Sequence, residues 1–60
     1  MVELIELQGR LQSSREVWKK RQEEARKGGD ETAYAVAKGA IIGLTLAIRE
    51  IGILLRIELA

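Results

Sequence analysis

The residues best suited to chemistry are four polar side chains in the first half of the chain: Arg15, Lys19, Gln22 and Arg26. Their spacing of four, three and four residues puts three cations and one amide on the same face of a helix. Arg and Lys neutralise phosphates without reading the base sequence, so this face predicts sequence-independent contact with RNA or DNA. Nearby glutamates weaken the positive field, and we therefore rank nucleic-acid binding second among the candidate functions.

Catalytic residue types are scarce in this chain. It contains no His and no Cys, so neither imidazole nor thiolate chemistry is open to it. Ser13 and Ser14 have no identifiable activating base, and Asp30 with Glu31 offers too few oxygens to hold a metal ion from one chain. We therefore expect no enzyme activity, no cofactor and no metal site.

Size and charge limit the chain further. Its 60 residues carry ten basic and nine acidic side chains, and the resulting net charge of +1 gives no global attraction to nucleic acid or anionic lipid. A chain this short is marginally stable unless disulfides, metals or oligomerisation support it, and oligomerisation is the route left open here. Acidic Glu3 and Glu6 stand where a signal peptide would be basic and then apolar, so we expect a cytoplasmic protein.

Two elements of opposite character must position these residues. Residues 1–31 contain 9 apolar and 14 charged residues, whereas residues 32–60 contain 19 apolar and 5 charged ones. Between them lies Lys27-Gly28-Gly29-Asp30, in which one glycine can end a helix in the left-handed conformation and Asp30 can cap the next helix. The sequence predicts a single all-α domain over 1–60, with helix 1 at about 2–27, a turn at 28–30 and helix 2 at about 31–58. A break in helix 1 near residues 9–14 is an open alternative, since Gly9 and two serines lie there.

The apolar pattern differs between the two predicted helices. Helix 1 offers one narrow stripe, made of Leu4, Leu7, Leu11, Trp18 and Ala25. Helix 2 has a thin polar stripe, and nearly all the rest of its circumference is apolar. Opposite that stripe, residues spaced alternately four and three apart form a seam with a second row beside it. The predicted oligomer interface comprises Ala33, Ala37, Ala40, Ile41, Leu44, Ala47, Ile48, Ile51, Leu54 and Leu55.

A row of small residues runs along helix 2. Ala35, Gly39 and Gly43 recur at every fourth position, a spacing that lets another backbone approach closely. We predict a close helix contact there. The same glycines resemble the G-x-x-x-G pattern of membrane helices, but the longest uncharged stretch, residues 39–48, is half the length that a bilayer core requires.

These patterns together predict the architecture and a class of function. Helix 1 is too narrow to cover helix 2, so a lone hairpin would leave a large apolar surface in water. We expect two antiparallel hairpins to assemble into a homodimeric four-helix bundle. The predicted function is that of a non-enzymatic protein-interaction, scaffold or regulatory module with an unidentified protein partner, of a size typical of regulators encoded by phages and mobile elements. Nucleic-acid binding through helix 1 is the first alternative, and a membrane-interfacial or pore-like oligomer of helix 2 is the second, with membrane partners disfavoured.

Overall fold

The chain folds into two long antiparallel helices. The computed structural model describes the backbone of residues 2–59 and the side chains of residues 2–57. Helix α1 spans Val2–Gly28 and helix α2 spans Glu31–Leu59, and they pack side by side as a hairpin. The Cα atoms occupy 46 × 14 × 11 Å. The predicted all-α hairpin is confirmed, and α1 continues through residues 9–14 without the break that the sequence left open.

The turn between the helices follows from its two glycines and one aspartate. Gly29 has a φ of +70°, the left-handed conformation that a side chain disfavours. The Asp30 N–H donates to the carbonyl of Ala25 at 2.9 Å and the Gly29 N–H donates to that of Arg26 at 3.3 Å, which is the Schellman arrangement at a helix end. Asp30 then starts α2, because its carboxylate oxygen Oδ1 accepts a hydrogen bond from the Ala33 N–H at 3.0 Å.

Burial in the hairpin is sparse. Among the described residues, Ala25, Ala37 and Ile51 are buried, and Ala37 is the most enclosed of them at 1% exposure. A two-helix hairpin has a single contact face per helix, so most side chains keep some water contact. Several large aliphatic side chains remain exposed: Val2, Ile5, Leu7, Val17, Val36, Ile42, Leu46, Ile53, Leu54 and Ile57.

Candidate interaction surfaces

One face of α2 packs against α1, and we call it the contact face. Its members are buried or half-buried and follow alternate spacings of three and four residues, as helix pairing in an antiparallel coiled coil requires. The contact face comprises Tyr34, Ala37, Ile41, Leu44, Ile48, Ile51 and Leu55.

The contact face is rotated by about 60° around α2 from the seam expected to join two copies. The seam itself consists of Ala33, Ala37, Ala40, Leu44, Ala47, Ile51 and Leu54. Three of these seven residues, Ala37, Leu44 and Ile51, also belong to the contact face within the hairpin. Ile41 and Ile48, from the row beside the seam, are half-buried on the contact face, where they bury more apolar area than alanines would. The remaining seam residues lie along one edge of the hairpin.

We call this edge of α2 the apolar edge. Ala33 and Leu54 are exposed on it, and Ala40 and Ala47 are half-buried. At the opposite edge of α2 the Gln8 side chain of α1 lies over Gly52, 3.5 Å from the position that a Cβ on that glycine would take. The exposed Leu7 of α1 therefore lies on the same side as the apolar edge, and it is the one member of the predicted helix 1 stripe that the hairpin leaves exposed.

The small-residue row makes no close contact within the chain. Ala35, Gly39 and Gly43 are exposed, and a Cβ atom built on either glycine meets nothing within 4 Å. The reason is that α1 packs on another side of α2. The predicted close helix contact at Ala35, Gly39 and Gly43 is therefore not made within one hairpin, and a contact with another copy there stays a prediction.

The α1 side of the contact is half polar, although the sequence pattern predicted only an apolar stripe there. Beside the half-buried Leu11 and Trp18 lies a second row, Gln8, Arg15 and Gln22, also half-buried. The Gln8 amide Nε2 donates to the carbonyl of Ile48 at 3.4 Å. The sequence spacing does indicate this row. Its residues are seven apart and alternate with the apolar row at intervals of three and four residues, as residues on one helix contact do.

The four residues singled out for phosphate binding do not form one open cationic face. Arg15 and Gln22 are half-buried between the helices, and the Arg15 Nε atom is buried without a hydrogen-bond partner in the described structure. Lys19 and Arg26 are exposed, but the Lys19 ammonium lies 3.4 Å from the carboxylate of Glu16. Nucleic-acid binding stays a prediction, with fewer free cations to support it than the spacing indicated.

Arg26 is held by a carboxylate one turn earlier. Its guanidinium donates from Nε to Oε2 of Glu23 at 3.0 Å and from the terminal Nη2 to the other carboxylate oxygen. This hydrogen bonding lowers the pKa of Glu23 and raises that of Arg26. Both side chains are exposed, so the pair adds little to stability.

Trp18 is half-buried on the side of α1 that packs against α2. The Arg21 guanidinium carbon lies 4.7 Å from the centre of the indole ring, over one of its faces, in a cation–π geometry. A ring engaged in this way packs within the hairpin and offers no open stacking surface for bases.

Two further properties of the described residues concern metals and membranes. No group of three or more acidic side chains there is arranged to hold a metal ion. Neither helix, as far as it is described, is long and apolar enough to cross a bilayer. No protein-family model, curated protein or solved structure matches the chain.

Proposed function

We propose that this chain is a non-enzymatic self-association module that acts as a protein-interaction or scaffold element. Two hairpins pair through their apolar edges into a homodimeric four-helix bundle. The observation that carries the proposal is the amount of aliphatic surface that one hairpin leaves in water, because soluble monomers tolerate apolar patches of only a few hundred Å².

The geometry of the hairpin supports this pairing. The centre of a four-helix bundle lies diagonally between the two neighbours of each helix. On α2, the contact face points to α1 and the apolar edge points to the second hairpin, so the direction to the bundle centre lies between these two surfaces. The seam anticipated from the sequence follows this direction, and its alternating alanines and larger residues, such as Ala40 followed by Leu44, suit interdigitation between four helices.

The available area supports it as well. A hairpin side of 46 × 14 Å offers roughly 640 Å², so two copies that pair along the whole side bury at most on the order of 1,300 Å² together. Stable protein–protein interfaces begin at about this size. The small alanine side chains on the edge would let the second hairpin approach closely and raise the area in contact.

Sedimentation equilibrium with two matched variants tests the proposal. Leu54 lies on the apolar edge at 49% exposure and Leu46 lies on the far side of α2 at 53% exposure. Leu54→Asp places a carboxylate in the dimer interface, whereas Leu46→Asp makes the same change outside it. We expect the wild type and Leu46→Asp to sediment at twice the chain mass, and Leu54→Asp to shift toward the monomer by at least about tenfold in dissociation constant.

Two results would contradict the proposal. One is a wild-type chain that sediments as a folded monomer at micromolar concentration. The other is equal dissociation by both substitutions, because the dimer would then not use the apolar edge in particular.

A further inference from the structure

A third surface of α2 faces directly away from α1, and we call it the outer stripe. Its residues are spaced by three, four or seven, so they share one line along the helix, and all of them are exposed. The outer stripe comprises Ala35, Gly39, Ile42, Leu46, Ile53 and Ile57.

Neither the hairpin nor the proposed dimer covers this stripe. It lies about 165° from the contact face and about 115° from the apolar edge around the helix axis. Ile57 is 67% exposed, and the other large aliphatic members are also substantially exposed. Four large aliphatic side chains in a row therefore stay in water whether the chain is a monomer or an edge-to-edge dimer.

Cations border the outer stripe along one side. Lys38, Arg49 and Arg56 fall within about 20° of one another around α2 and span roughly 27 Å of its length. Their side chains make no hydrogen bond or ion pair within the described part of the chain. Glu31 lies on the same border, seven residues before Lys38, and Glu50 lies on the opposite border, so the two borders together carry three cations and two acids and remain net positive.

The same cations argue against a second copy of the chain as the partner that covers the outer stripe. If two outer stripes paired antiparallel about their midpoint, the cationic border of one helix would lie beside the cationic border of the other. Lys38 of one copy would then lie near Arg56 of the other. Like charges facing each other across a helix interface are destabilising. An occupant that carries negative charge beside an apolar layer fits better.

We propose that the outer stripe docks on the surface of an anionic lipid bilayer. With α2 lying parallel to the membrane plane, the aliphatic side chains enter the boundary between headgroups and acyl chains. The stems of Lys38, Arg49 and Arg56 are long enough to carry their charges up to the lipid phosphates. The helix rests on the bilayer and does not cross it, consistent with its length and charges. The proposal does not depend on dimerisation, because the stripe is exposed in either state.

Co-sedimentation with lipid vesicles tests this docking. The full chain is mixed with vesicles of phosphatidylcholine alone or with about one third phosphatidylserine. We expect binding to the anionic vesicles at least about tenfold tighter than to the neutral ones, weakening as salt is raised. A joint Lys38→Gln and Arg49→Gln variant should lose most of this difference.

A matched pair of aspartate substitutions isolates the apolar part. Leu46→Asp lies in the outer stripe, and Val17→Asp introduces the same charge at an exposed aliphatic position on α1. We expect Leu46→Asp to weaken binding to the anionic vesicles by about tenfold or more while Val17→Asp changes it little. Circular dichroism of both variants confirms that each is still helical.

Three outcomes would overturn the proposal: no wild-type binding to the anionic vesicles, equal losses in the two aspartate variants, or a fall in the solution mass of Leu46→Asp. The last result would show that the outer stripe is a contact between copies. Failure of the dimer proposal is distinguishable, because it is read from the mass of Leu54→Asp without lipid.

Discussion

Replacing Ile51 by Ala measures how strongly the contact face holds the hairpin together. The change removes three carbons, each worth about 0.8 kcal/mol when fully buried. Because Ile51 is only 8% exposed, nearly all of that is lost, and the unfilled space adds to it, giving a cost of about 2 to 3 kcal/mol in the free energy of unfolding. In so small a chain this is a large part of the total stability.

Ile42→Ala is the matched control, since it removes the same atoms from the same helix. Ile42 is 53% exposed on the outer stripe, so only about half of the transfer free energy of the three carbons is lost, a cost of about 1 kcal/mol in the free energy of unfolding. The better helix propensity of Ala offsets part of this cost. The expected difference between the two variants is therefore at least about 1 kcal/mol.

Urea unfolding followed by far-ultraviolet circular dichroism reports both values. All samples should be compared at one protein concentration, because the midpoint of an associating chain depends on concentration. If Ile42→Ala proves as costly as Ile51→Ala, the outer stripe is covered in the folded state, and the assignment of the faces around α2 is refuted.

Three further predictions concern the turn and one ion pair. Gly29→Ala should destabilise the hairpin by about 1 kcal/mol in urea unfolding, because Gly29 has a positive φ, whereas Gly28→Ala, in ordinary helical conformation with open space around it, should be neutral or stabilising. Asp30→Ala should lower the melting temperature by removing a helix cap worth about 1 kcal/mol, and Asp30→Asn should retain most of it. Hydrogen bonding to Arg26 lowers the pKa of Glu23, so the small stabilising contribution of the pair is complete above the usual value of 4.5 and lost as the pH falls through the lower folded value. NMR titration should find a higher Glu23 pKa in Arg26→Gln, and an unchanged value would contradict the observed hydrogen bonds.

Much of the candidate surface was predictable because α2 is apolar nearly all round. The sequence identified which of its residues are apolar and the rows into which they fall. It did not identify which row meets α1, because periodicity specifies the direction of an apolar stripe only where a polar face opposes it. Arg15 and Gln22 were assigned to an open face for a related reason. Their polarity suggested solvent, although their spacing is that of the contact between the helices.

The two helices, their bounds and their turn were set by local chemistry in the sequence. A glycine accepts the left-handed conformation at residue 29 and an aspartate caps the helix from residue 30, and both effects act within a few residues. The rotation of α2 was decided only by tertiary packing. Several apolar rows of α2 could pack against α1. The row that does so is the one whose side chains fit the space between the two helices and bury the most apolar area there. Shape and buried area are properties of the helix pair and cannot be derived from either helix alone.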